Sequence, residues 1–426
     1  ADLRGSEAYR LTVTAGDGGV VIEAGAAAGL WYGLATLQQW IAVHDAAAVS
    51  IPTGHAAPRV VTVRAVVVED WPNFAARGVM LDVSRSRVPT METLFMLVRR
   101  LAALKVNQLQ LYFEHAFRYA RHDRVWDAAS AISGEECRAL DAYCKARFIE
   151  LVPNQNSFGH MAPWLKTEGY KDMAECPEGF PHPFAREPEP FSFCPTDPRS
   201  AAFMSSLYDE LLPNFTSRQV NVGMDETFDL GRGRSAAECA VKGQGVVYLE
   251  YVLAIYEDIQ RRGLHMQYWG DIIERYPELV PRLPKDATAL IWGYGANYDF
   301  EHQCELFHKN DVPFYVVPGT STWNSFAGRS SNTIGNLQSA AVHGRAHDAR
   351  GFLNADWGDN GHLNPMAASY LGFAAGAAFS WNAGFADALQ PRKEDAEASP
   401  GPAVHPALRQ WTAVVLDLHV VRDAKR

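Results

Sequence analysis

Gln219-Val220-Asn221-Val222-Gly223-Met224-Asp225-Glu226 reads as a buried strand, residues 219–224, that runs out into two adjacent carboxylates. The turn-rich run from Thr227 to Gly233 follows, so the acids fall where a strand opens into a loop. Two neighbouring carboxylates repel if both ionise in a poorly solvated place, so one is expected to keep a proton near neutral pH. Alone, such a pair is an ordinary solvated strand end. Its meaning depends on what else converges there.

Working outward, apolar runs suited to strands recur at 78–83, 106–113 and 148–153, and again at 265–269, 287–292, 313–317 and 351–355. Helical patterns lie between them. Residues 90–105 place Leu94, Leu97, Val98, Leu101 and Leu104 on one face behind Thr90 as N-cap. Residues 246–262 gather Val252, Ile255, Tyr256 and Ile259 and stop at Gly263. Continuous apolar strands are those of a parallel sheet buried on both faces. About eight strand–helix units over roughly 280 residues predict a (β/α)8 TIM barrel. The competing doubly wound sheet needs a Gly-rich phosphate turn after its first strand, and Asp82-Val83-Ser84-Arg85 is not one.

Residues 1–70 read as a small α/β domain ahead of the barrel. Strands are expected at 9–13, 20–23 and 60–68, with a helix over 26–43 that carries Leu30, Leu34, Leu37 and Ile41 on one side. The chain begins close to the first strand, so this domain is expected to be partly truncated. Residues 71–426 are assigned to the barrel with a C-terminal extension, helix-like at 403–418. Three connections stand out: 155–198, long and rich in Pro and Phe; 225–245, carrying Gly231-Arg232-Gly233-Arg234-Ser235, a turn whose N–H groups suit an anion but more simply face solvent; and 387–402, a loop of Ala, Pro and charged residues.

The 426 residues are 47% hydrophobic and 21% charged with a net charge of -10, which suits a globular core and argues against nucleic-acid or anionic-membrane partners. No run of ~18 apolar residues predicts a membrane span, and no signal peptide is visible, so the compartment stays open. The six cysteines show no C-x-x-C spacing, and neither a zinc site nor a disulfide framework is expected.

In a (β/α)8 barrel the C-terminal ends of the strands meet at one mouth. Those ends carry Asp82 and Arg85, Glu114 and His115, Asn154 with His160 beyond it, and Asp225-Glu226. The later ones carry Trp269 and Asp271, Trp292, Trp323-Asn324, and Asp356, Trp357, Asp359 and His362. Aromatic walls beside carboxylates and an arginine suit a sugar, whose apolar faces pack on indoles while its hydroxyls seek polar partners. Glycoside hydrolysis ordinarily places two carboxyls on either side of the bond, which adjacent residues do not do easily. They fit the variant in which the sugar's own 2-acetamido oxygen attacks.

The run Phe74-Ala75-Ala76-Arg77-Gly78-Val79-Met80-Leu81-Asp82-Val83-Ser84-Arg85 resembles the first barrel strand of family 20 glycoside hydrolases, the β-N-acetylhexosaminidases. Met224-Asp225-Glu226 resembles their catalytic pair, and Gly29-Leu30-Trp31-Tyr32-Gly33-Leu34 a helix of the domain before their barrel. The resemblance implies an exo-acting retaining enzyme for terminal β-linked GlcNAc or GalNAc on an oligosaccharide or glycoconjugate, with no cofactor and no metal. It implies Glu226 as general acid and base, Asp225 as the group that holds the acetamido N–H, and His160 as support for the acid. Arg77 would grip the distal hydroxyls, Trp269, Trp292 and Trp357 would form the walls, and Asp359 would bind hydroxyls. Glu114, Asp271, Trp323 and Asn324 complete the expected substrate-binding set. A homodimer is compatible with this reading.

The chain departs from the family pattern at three places. Asn221 and Met224 replace a histidine and a glycine, Glu114-His115 stands where the family has an aspartate pair, and Trp323-Asn324 stands where many members offer a tyrosine to the acetamido carbonyl. The segment 356–362 is similar to a divergent bacterial branch, closer to hexosaminidase D-like proteins than to lysosomal enzymes. Two alternatives remain: a non-catalytic sugar-binding relative, and a metal-dependent barrel isomerase or lyase using Glu114, His160, Asp225 and Asp271 as ligands.

Overall fold

The computed structural model describes residues 5–44 and 61–384. Residue 60 and the 387–402 and 403–418 segments lie outside the described residues. The eight apolar runs form a closed parallel barrel of β4 (Ala76–Asp82), β5 (Gln108–Phe113), β6 (Glu150–Gln155), β7 (Gln219–Asn221), β8 (His265–Trp269), β9 (Thr288–Trp292), β10 (Phe314–Val317) and β11 (Gly351–Asp356), with β11 pairing back onto β4. Helices connect the strands, among them Met91–Ala103, capped by Thr90, and Gln244–Arg261. Strand residues such as Val79, Leu81, Leu109, Leu111 and Ile291 pack with the helices, while Met80, Tyr112, Leu290, Val317 and Leu353 fill the interior towards the mouth.

The strand that carries the acids is shorter than its apolar run. It ends at Asn221 because Gly223 and Met224 have φ of 75° and 84°, which turns the chain out of the ladder just before Asp225. The interior below is polar. Gln110 donates to Gln267 (2.8 Å) and accepts from Asn154 (3.0 Å) and Asn221 (3.1 Å), and Gln267 donates to Gln219 (2.7 Å). Asn221 therefore belongs to an amide network that ties β5, β6, β7 and β8 together, and its own Oδ1 accepts from the Gly223 N–H at 3.0 Å.

Ahead of the barrel, β1 (Tyr9–Val13) is the centre of an antiparallel sheet between β2 (Val20–Ala24) and β3 (Val66–Asp70). The helix Ala27–His44 lies on it with Tyr32, Ala35 and Ala42 buried, whereas Leu30 and Leu34 are 42% and 50% exposed. Half of the expected stripe thus faces outward, while Leu37 packs against the small-domain core. The helix approaches through Gly29, where a Cβ would stand 2.4 Å from the Ala8 carbonyl oxygen, so the glycine side must face the sheet.

Arg77 corrects the sequence reading most clearly. It opens β4, at the end of the barrel away from the acids, and is 1% exposed. Its guanidinium donates to Glu7 (2.7 and 3.2 Å) and to the Phe74 and Lys105 carbonyls, and lies 4.9 Å from the Trp381 ring. It clamps the small domain to the barrel floor and cannot reach a ligand at the mouth. Breaking such a buried pair leaves an uncompensated charge worth about 3–5 kcal/mol. Arg77→Met is therefore expected to lower the free energy of unfolding measured in urea by an amount near the lower end of that range, because Glu7 keeps some solvent. Arg77→Met together with Glu7→Gln should recover part of the loss.

Candidate active site

Asp225 and Glu226 stand at the mouth where β7 gives way to a turn, Asp225 buried and Glu226 half-buried. His160, on the connection after β6, reaches both: its Nε2 is 3.0 Å from Glu226 Oε2 and 3.3 Å from Asp225 Oδ2. Gly159 makes this possible, since a Cβ there would stand 2.4 Å from the Asp225 carbonyl oxygen. His160 (φ 56°), Met224 (φ 84°) and Glu226 (φ 51°) all adopt left-handed backbone, a concentration of strain typical of functional sites.

The electrostatics follow from that contact. Burial pulls the His160 imidazole down, but the Asp225 charge and the hydrogen bonds to Asp225 and Glu226 outweigh it and push it up to about 10, against the opposing charge of Arg85. Burial pushes Asp225 up, yet imidazolium His160 and the 2.7 Å hydrogen bond from Asn156 hold it below the ordinary carboxylate range. The proton expected on one of two neighbouring acids is therefore not on Asp225. Behind the pair, Asp271 accepts the Glu226 backbone N–H at 3.1 Å, and burial and the Asp225 charge push it up to about 7.

Arg85 takes the place at the mouth that the sequence reading gave to Arg77. It pairs with Glu114 at 2.9 Å and Asp82 at 3.1 Å and lies over the Tyr112 and Trp357 rings. Glu114 also faces His160 Nδ1 at 3.6 Å, so Arg85, Glu114, His160 and the acid pair form one charged chain. A cavity of about 140 Å³ opens above Asp225 and Glu226, with Arg85, Asp359, His160 and Phe184 around it. Its remaining wall is Trp292, Tyr294, Trp323 and Trp357.

Several expected residues do not line this cavity. Trp269 is fully buried and backs Trp357 at 5.9 Å. Glu114 and Asp271 act through their neighbours, and Asn324 is exposed, accepting from the Asn360 side chain. Tyr294, Phe184 and Asn156 escaped the sequence reading. Tyr294 lies two residues beyond Trp292, stacks on it at 5.3 Å, and accepts from Trp357 Nε1 at 2.7 Å. Its position just past a strand end was a usable signal; that of Phe184, inside the long 155–198 connection, was not.

The Gly231–Ser235 turn does bind an anion, but the chain supplies it. Gly233 N–H donates to the buried Glu175 carboxylate at 2.9 Å, Ser235 N–H at 3.1 Å, and the Ser235 hydroxyl at 2.8 Å. His160, Asp225 and Glu226 could offer a metal three ligand atoms within 4.8 Å of one another. A cation there would compete with the proton on His160.

A family model described as glycosyl hydrolase family 20, catalytic domain, matches residues 74–310, and one described as domain 2 of the same family matches residues 1–71. The chain belongs to glycosyl hydrolase family 20. It is 25% identical over 216 residues to Hexosaminidase D of Bos taurus, covering 49% of this chain and 60% of that protein. It is 25% identical over 338 residues to Beta-hexosaminidase of Emericella nidulans, covering 75% and 49%. The chain thus spans 60% or less of either relative. The Flavobacterium johnsoniae chitobiase structure superposes with a TM-score of 0.73 at 18% identity, covering 98% of this chain and 60% of that one. The β-N-acetylhexosaminidase of Streptomyces coelicolor A3(2) gives 0.68 at 19%, covering 88% and 77%. At these identities both establish the fold alone.

Asp271 gives the site a testable pH signature. Its pKa rises from an unfolded value of about 3.9 to about 7 in the fold. The folded state then holds the extra proton across that window, so this group lowers stability as pH rises through it. Asp271→Asn removes the titration. In urea unfolding at pH 5 and pH 8, the wild type is expected to lose stability relative to Asp271→Asn at the higher pH; an unchanged difference would contradict the assignment.

Proposed function

We propose that the protein is an exo-acting, retaining β-N-acetylhexosaminidase that works by substrate assistance on terminal N-acetylhexosamine residues. The observation that carries this reading is the adjacent Asp225–Glu226 pair in which Asp225 is kept ionised by imidazolium His160. An anion fixed beside its neighbour acid suits an acetamido group, not attack at the anomeric carbon from the opposite face.

Asp225 accepts the acetamido N–H and steadies the positive charge that develops on that nitrogen as the carbonyl oxygen bonds to C1. Burial pushes the Tyr294 hydroxyl well above its usual range, so it keeps its proton and can donate to the acetamido oxygen while accepting from Trp357. Trp292, Trp323 and Trp357 wall the sugar and its acetamido methyl. Protonated Glu226 gives its proton to the leaving oxygen as the C1–O bond breaks; as a carboxylate it then takes a proton from the water that adds to C1 and opens the oxazolinium ring. Asp271 fixes the Glu226 peptide, His160 its carboxylate, and Glu114 holds His160 and Arg85. Arg85 and Asp359 take the distal hydroxyls.

An aryl β-N-acetylglucosaminide should be cleaved, and a thiazoline mimic of the cyclised intermediate should inhibit. Glu226→Gln is expected to lower kcat/KM by about 10²–10⁴-fold on poor leaving groups and far less on activated aryl glycosides. Asp225→Asn should lose turnover on all of them. Unchanged turnover in both variants would refute the reading.

A further inference from the structure

Phe184 is a large apolar side chain that is 48% exposed and at the same time lines the cavity over Asp225 and Glu226. Scattered exposed apolar residues need no explanation, but one at the rim of a polar catalytic cavity does. Its surroundings are built. The ring lies 5.3 Å from His160, 5.8 Å from Phe228 and 6.1 Å from Phe191, so one side rests on an aromatic cluster. The arm that carries it is pinned by the antiparallel bridge between Phe180 and Glu189, and Glu189 is held in turn by Lys166 at 2.7 Å and faces His182 at 3.5 Å.

The placement decides what the free side meets. The tryptophans and Tyr294 occupy the wall that takes the sugar ring, whereas Phe184 stands beside His160, the partner of Glu226. Glu226 must face the glycosidic oxygen, so the group that departs with that oxygen lies on the Glu226 and His160 flank. We infer that Phe184 is a specificity-determining platform for the leaving group, selecting aglycones that present a flat apolar face, such as a second pyranose or an aryl ring. This rests on the reading under Proposed function.

The two-step chemistry separates this role from a structural one. The leaving group is present only while the C1–O bond breaks and the acetamido oxygen bonds to C1; it has gone when water opens the oxazoline and returns a proton to Glu226. The test compares wild type, Phe184→Ala, Phe184→Leu and Phe184→Trp on three substrates: a β-linked N-acetylglucosaminyl disaccharide, the methyl β-glycoside, and the preformed N-acetylglucosamine oxazoline. Phe184→Ala and Phe184→Leu are expected to lower kcat/KM on the disaccharide by about tenfold. On the methyl glycoside and the oxazoline they should change it less than about threefold, and Phe184→Trp should restore the disaccharide rate. Phe184→Leu keeps apolar bulk against His160 and serves if the alanine variant misfolds. An equal fall on all three substrates, or no fall on the disaccharide, would overturn the inference while the wild-type activity still supported the enzyme assignment. A wild type inert towards all three would overturn that assignment, and the inference with it.

Discussion

Two carboxylates next to each other in a buried place is the constraint around which this mouth is built. Solvent reaches the buried Asp225 anion poorly, so the fold supplies a cation. Imidazolium His160 touches both acids, Asn156 donates to Asp225, and the chain of Glu114 and Arg85 behind His160 extends the alternation of sign. Each further arrangement follows from bringing that imidazole in. Gly159 permits the close approach, and left-handed backbone at His160, Met224 and Glu226 aims the groups at one another. The cost of that strain is borne by the surrounding hydrogen bonds, including the Asp271 contact to the Glu226 peptide.

Much of the fold was legible because parallel strands buried on both faces print as continuous apolar runs, and eight of them in sequence leave few topologies. The limits of legibility have physical causes. The strand before the acids looked long because Val222 and Met224 are apolar, yet the departure from the ladder is set by φ at Gly223 and Met224, and only the glycine hints at it. The outward Leu30 and Leu34 misled because helix periodicity marks a face without saying that glycine must face the sheet.

The site was half legible. Asp225, Glu226 and His160 could be placed from strand ends and resemblance, as could the tryptophans of the wall. Arg77 and Arg85 could not be told apart by chemistry, because both arginines fall in the one run, 74–85, that reads as the first barrel strand and its end. The strand's length separates them: Arg77 opens it and Arg85 lies past its end, so they point at opposite ends of the barrel. Trp269 shows the converse error, since a strand-end aromatic can serve a cavity from behind without touching its contents.

The clamp at the barrel floor reaches further than its local contacts. Trp381, the last residue of the helix Met366–Trp381, completes the core of the small domain beside Tyr9 and Tyr32, and Arg77 and Lys105 lie against its ring. The small domain therefore lacks an interior piece that is made only after the last barrel strand. It cannot close before the barrel sequence is complete. Its contacts are of very high sequence order, so the small sheet and the barrel must finish folding together, with the helix Met366–Trp381 as the closing piece.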